Sequence, residues 1–178
     1  MSTLIPEVLK KLSFKIDASL LSEEDKREAC LFAYPNKTVW QPQQEKGAIA
    51  QWIVGLALDC PHAEENKFWL GDFWLEDIIL EVKYQTNPGV SLSLNSPLAE
   101  GIMGTYTHVA ELREFQNNVA RHYILWVFSP NDIYQPYAVI KSSELKPYML
   151  RELKNSIGEK FYKINTNLVP SNALFTYS

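Results

Sequence analysis

A glutamate and a lysine two residues apart, inside the apolar run Ile78-Ile79-Leu80-Glu81-Val82-Lys83, have the types and spacing for chemistry. Glu-x-Lys is a weak pattern alone. It occurs five times, as Glu24/Lys26, Glu65/Lys67, Glu81/Lys83, Glu144/Lys146 and Glu152/Lys154. Four of these fall in expected helices or loops, where a solvated charged face explains them. Only Glu81 and Lys83 sit in an expected strand, where residues two apart share a face about 6.5–7 Å apart. Ile78, Leu80, Val82 and Tyr84 are then expected to face the core, with Glu81 and Lys83 pointing together the other way. By itself such a pair is an ion pair of small energy. Asp72 changes the reading, because it opens the preceding strand and a hairpin can return it alongside Glu81. Two converging carboxylates repel unless a cation sits between them. Hard oxygen ligands without cysteine or a histidine cluster favour magnesium or manganese. Lys83 beside them can orient or activate water and stabilise charge on a phosphoryl oxygen. The rival acid, Asp77, lies about 13 Å from Glu81 along an extended strand, too far to share one metal.

These residues need elements to position them. Residues 4–13 read as a short helix. Ser22-Glu-Glu-Asp25 is a capping-box-like start for a helix through about Ala33, broken by Pro35 and Asn36. Apolar residues spaced by three and four predict a helix from Gln43 to about Leu58, ended by Cys60-Pro61. Residues 67–89 read as two strands joined at about Leu75–Asp77. A long polar loop is expected over 86–104, and its amides and hydroxyls suit groove contacts on DNA. A helix follows over 107–120, then a strand over 122–130, apolar enough to be buried on both faces. The run 134–141 is another strand, placed at a sheet edge by Pro136. Ser142-Ser143-Glu144 is expected to cap a helix to about Lys154, and the tail from Phe161 to be irregular. The sum is an α/β or α+β domain around a mixed sheet.

Composition bounds the rest. At 178 residues the chain suits one domain. Its 46% apolar content supports a core and excludes wholesale disorder. The longest apolar-rich stretch, 48–58, is too short for a membrane span, which needs about 20 residues. The first residues lack a signal-peptide pattern. Cys30 and Cys60 form neither a disulfide framework nor a metal motif, so a soluble cytoplasmic protein is expected. The net charge of −4 argues against an all-over basic coat, though not against a local basic groove. Phosphate binding needs local positive charge, so the charge is expected to be partitioned, with acids on the amino-terminal helices and bases lining a cleft beside Glu81.

The order helix, Asp72, FWLEDIIL, then Glu81-Val82-Lys83 resembles the active-site hairpin of the PD-(D/E)xK nuclease superfamily, which includes most type II restriction endonucleases. Gly71 stands where many members have proline. The resemblance implies a restriction-endonuclease-like core, with Asp72, Glu81 and Lys83 catalytic. It implies Mg2+, replaceable by Mn2+, held by Asp72, Glu81 and Val82, and Lys83 near the attacking water. A further acid often comes from the preceding helix in this superfamily. Glu45 is the one candidate there, and an ordinary first-turn acid is the plainer reading of it.

Over residues 43–178 the layout is loosely similar to the small PvuII-type restriction endonucleases. That likeness implies a sequence-specific cut of double-stranded DNA to 5′-phosphate ends, a homodimer on a palindromic site, and a cognate methyltransferase in the same system. Residues 1–34 would be the dimerisation element. Asn95, Ser96, Thr107, His108 and Arg113 are the candidate DNA contacts. His122, Arg121 and Lys141 can also reach phosphates, although a solvated face is the plainer reading of each. Two other readings stay open. One is a structure-specific nuclease such as a junction resolvase or repair nickase. The other is a non-catalytic DNA-binding or interaction module in which Glu81–Lys83 is only an ion pair.

Overall fold

The computed structural model describes residues 5–64, 67, 70–86, 89–93, 97–104, 109–128, 130–149, 152–154, 156–158, 160–165, 168–170 and 172–177. After the short helix α1 (Glu7–Lys10) and strand β1 (Ile16–Asp17), α2 (Glu23–Ala33) starts on the expected signal. Ser22 accepts from the Asp25 N–H at 3.0 Å, and the Asp25 carboxylate accepts from the Ser22 N–H at 3.2 Å. Two donors at the helix start are thereby satisfied. Helix α3 (Pro42–Leu58) ends on Asp59 in the left-handed region, φ 51°, two residues before the expected Pro61. The N–H groups of Asp59 and Cys60 return to the carbonyls of Leu56 and Gly55. This is a Schellman closure, so backbone hydrogen bonding stops the helix before the proline does.

The expected hairpin is present. Strand β2 (Phe73–Trp74) pairs antiparallel with β3 (Ile79–Gln85), Phe73 opposite Leu80 and Trp74 opposite Ile79. The Leu75 N–H closes the turn on the Ile78 carbonyl. Strand β5 (His122–Phe128) runs parallel to β3, with Glu81 beside Ile124 and Lys83 beside Trp126. Strand β6 (Ile133–Lys141) pairs antiparallel with β5. The main sheet runs β1-β6-β5-β3-β2, with β9 (Leu174–Thr176) also on β6. A second sheet orders as β4 (Gly89–Ser93), β8 (Lys160–Asn165) and β7 (Glu152–Lys154).

Both faces of β3 are covered. Ile78, Leu80 and Val82 pack with Ile49, Ile53 and Val54 of α3, and with Leu9 and Ala29 from α1 and α2. Ile79 faces the other way. It packs with Ile124, Trp126 and Phe115, the last from α5 (Val109–Asn118), and with Leu98 and Ile102 of α4 (Pro97–Met103). The α/β class with a mixed sheet flanked by helices is therefore as expected. No described helix is long and apolar enough to cross a membrane.

Four expectations are corrected. The polar loop over 86–104 contains β4 and α4, and β4 pairs with β8 from Gly89 opposite Asn165 to Ser93 opposite Phe161. Ser91 and Ser93 are therefore ladder residues. Pro136 does not mark an edge, because β6 has neighbours on both sides. It sits at the register shift against Val127, between the stretches that β1 and β9 cover at 133–134 and 138–140. A residue without an N–H is tolerated at such a break in the ladder. The helix expected from Ser142 is two 3-10 turns, Ser142–Glu144 and Lys146–Tyr148, followed by β7. Pro147 denies that segment an interior helical donor. The tail from Phe161 is not irregular, since it supplies most of β8 and all of β9.

Candidate active site

Gly71 presses the chain onto β3 just before Asp72. A Cβ there would lie 2.5 Å from Ile79 Cγ2 and 3.2 Å from the Leu80 carbonyl oxygen. The close approach requires glycine, because any side chain would collide with Ile79 and the β3 main chain. Asp72 is 6% exposed, and its Oδ2 accepts from the Val82 N–H at 2.8 Å. The β2–β3 ladder has ended at Phe73, so the carboxylate takes a donor that a longer partner strand would have bonded. Val82 itself turns its side chain into the core, leaving only main-chain atoms for the site.

Glu81 and Lys83 lie side by side as expected, with Lys83 Nζ 3.4 Å from Glu81 Oε1. Burial, then the Asp72 charge, pushes the Glu81 carboxyl up to about 8, against the opposing pull of Lys83. The hairpin thus brings Asp72, Glu81 and Lys83 together. Asp77 is exposed in the turn at the far end of β3. Glu45 sits half-buried in the first turn of α3, and its charge is felt at Cys30 and Tyr134. The charges acting on Glu81 are Asp72 and Lys83.

Two histidines flank Asp72, and sequence spacing marked neither. His62 places Nε2 3.4 Å from Asp72 Oδ1 and 2.8 Å from Gln51 Oε1, with Nδ1 3.1 Å from the Ala63 carbonyl. Its ring meets Phe32 and Phe73 edge-on. His122 is fully buried, which corrects both its reading as a phosphate contact and its reading as a solvated residue. One ring nitrogen faces the Leu70 carbonyl and the other the Ser142 hydroxyl. Burial lowers its pKa to about 4, so the ring is neutral, donating to Leu70 and accepting from Ser142. It thereby ties down the main chain two residues before Asp72. Tyr34, at the end of α2, has its phenol pushed up by burial, then by the charges of Asp72, Cys30 and Glu81.

Of the candidate DNA contacts, Asn95, Ser96, Thr107 and His108 lie outside the described residues. Arg113 is exposed on α5. Arg121 is committed elsewhere, donating to the Glu76 carbonyl and to Asn118 Oδ1 with its guanidinium over Trp74.

The donor set suits a hard divalent cation. Asp72 and Glu81 offer carboxylate oxygens in a largely dry position, and each keeps lone pairs beyond its protein contacts. No cluster of three or more histidine, cysteine or acidic residues with metal-site geometry occurs among the described residues. No protein-family model matches the chain, and no characterised protein is similar to it in sequence.

Proposed function

We propose that the chain is a magnesium-dependent DNA endonuclease with a restriction-endonuclease-like core and a PD-(D/E)xK active site. The observation that carries this reading is the Asp72 carboxylate bound to the main chain between Glu81 and Lys83, on a strand with a parallel neighbour. The order α3, Asp72, β2, β3, helices, parallel β5 supports the same reading of the core.

Asp72 and Glu81 would hold the cation, which supplies charge to a scissile phosphate and acidifies water. Lys83 Nζ, tethered to Glu81, can turn toward the attacking water and a non-bridging phosphate oxygen, holding both in line. The Val82 N–H and His62 fix the Asp72 carboxylate, and His122 fixes its approach. A palindromic substrate implies a homodimer. Exposed Leu20 and Leu31 support the amino-terminal element as its interface.

The test is purified protein on plasmid and phage DNA with magnesium at roughly 10 mM, a saturating level for a carboxylate site. Asp72→Ala and Lys83→Ala are assayed beside it. Discrete fragments from the wild type alone establish a site-specific endonuclease. Cleavage confined to branched substrates makes it a structure-specific nuclease. If neither substrate is cut and magnesium leaves the thermal transition unmoved, Glu81–Lys83 is a structural ion pair and the nuclease reading fails.

A further inference from the structure

Trp74 carries two cations and an unused donor. Lys67 Nζ lies 4.9 Å from the centre of its ring, and the Arg121 guanidinium carbon 5.5 Å. One cation on a surface indole is ordinary packing. Two on the same ring stand within about 10 Å of each other, inside one Debye length at about 0.1 M salt, so they repel. Neither belongs to an ion pair among the described residues, although Glu76 and Asp77 are exposed in the turn nearby.

The indole adds an independent observation. Its Nε1 is buried and has no hydrogen-bond partner among the described residues. Such a donor costs stability until an acceptor reaches it. The ring is half-buried on the edge strand β2, where a rotation can present the N–H. The bonds that keep Arg121 from the Glu81 site hold it over this ring, and they use two of its five N–H donors. Lys67 is exposed on a flexible stem. Uncompensated positive charge beside a donor without an acceptor calls for an anion with several oxygens.

The strand register places these groups. Trp74 lies opposite Ile79, and both pack on the same face of the sheet. Ile79 and Glu81 share that face of β3, about 6.5–7 Å apart. This step equals about two nucleotide rises of 3.4 Å.

We propose that Trp74, Lys67 and Arg121 bind a backbone phosphate of the DNA strand that flanks the scissile one, within about two nucleotides of it. Lys67 and Arg121 neutralise its charge, and the indole N–H donates to one of its oxygens. The inference rests on the nuclease reading and adds the course of the strand, from Glu81 along the hairpin toward its turn.

The full chain is titrated with a fluorescent DNA duplex in calcium over a range of salt concentrations. Lys67→Gln should lower the slope of log affinity against log salt by about 0.9, which is about 8-fold in affinity at about 0.1 M salt. Trp74→Phe keeps an aromatic ring without the N–H, and should weaken binding about 3- to 10-fold with the slope unchanged. Lys11→Gln removes an exposed charge from the end of α1, across the sheet, and should match the wild type. A neutral methylphosphonate is also placed at each backbone position in turn. On one of these duplexes Lys67→Gln should cost nothing further. A wild-type slope in Lys67→Gln, wild-type affinity in Trp74→Phe, or a Lys67 effect that survives on every methylphosphonate duplex overturns this inference and leaves the nuclease reading standing. A wild type that binds no DNA at any salt concentration overturns both.

Discussion

The Asp72 carboxylate and the Val82 N–H meet at 2.8 Å, although ten residues separate them in the chain. The bond fixes where the acid stands relative to Glu81 and Lys83, because Val82 lies between those two on the strand. It also splits the role of Asp72 into two separable parts. One oxygen completes a backbone ladder, and the net charge acts on Glu81.

Asp72→Asn should separate those parts. The amide oxygen still accepts from Val82, while the charge that raises Glu81 is gone. Stability at neutral pH should stay within about 1 kcal/mol of wild type, or rise, whereas Asp72→Ala leaves the buried N–H unbonded and should cost about 1–3 kcal/mol. Nuclease activity should fall at least about 100-fold in both variants. Urea unfolding beside a plasmid-nicking assay reads the two effects. An Asn variant as unstable as the Ala variant would show that the charge, not the hydrogen bond, holds the hairpin.

Glu81 makes stability depend on pH in an unusual direction for an acid. Its folded pKa, about 8, exceeds the ordinary value of 4.5, so the folded state binds the extra proton between them. Stability from this group is complete below about pH 4.5 and is lost as pH rises through 8. In EDTA, the thermal midpoint should therefore decline between pH 6.5 and 8.5, and Asp72→Asn should flatten the decline. Magnesium should restore most of the loss at the upper end, by preferring the folded carboxylate pair. A midpoint that ignores magnesium at pH 8.5 would argue against a cation site.

His122 works in the opposite sense. Its folded pKa, about 4, lies below the ordinary 6.5, so its contribution is complete above 6.5 and is lost as pH falls through 4. Together with Glu81 this leaves stability nearly flat between about pH 4.5 and 6.5, where the two opposite slopes cancel, and falling on either side. His122→Phe removes the acid-side loss but strands the Leu70 carbonyl, for a net cost of about 1–3 kcal/mol at pH 7. It should also lower nuclease activity through the loosened Asp72 approach. Unfolding curves at pH 4.5 and 7 test this, and a His122→Phe variant with undiminished acid sensitivity would assign the loss elsewhere.

Asp59→Gly should be stabilising by about 0.5–1 kcal/mol, because glycine adopts the left-handed conformation at the end of α3 without a Cβ penalty. Chemical denaturation with an unchanged m-value checks it.

Much of the site was legible in the sequence because its residues are local. Asp72, Glu81 and Lys83 lie within one hairpin, and alternation together with turn chemistry fixes which side each takes. Ser22 and Asp25 announced α2 for the same reason. What escaped depends on distant partners. β4 reads as polar loop until β8 arrives to pair with it, although its V-S-L-S-L alternation was a usable strand signal. Pro136 argues for an edge unless the gap between β1 and β9 is known. His62 and His122 carry no spacing signal, since their partners at Gln51, Asp72, Leu70 and Ser142 are assembled only by the fold.

The outer side of β6 is completed by two short strands, Ile16–Asp17 and Leu174–Thr176, drawn from segments more than 150 residues apart, and the Tyr177 hydroxyl donates to the Leu9 carbonyl. During synthesis that side must therefore wait, its N–H and C=O groups open to foreign strands until residue 176 leaves the ribosome. High contact order of this kind slows folding and couples the amino-terminal helices to the arrival of the last strand. A chain released before Leu174 would present an unfinished edge, and aggregation rather than partial activity is the physical outcome to expect.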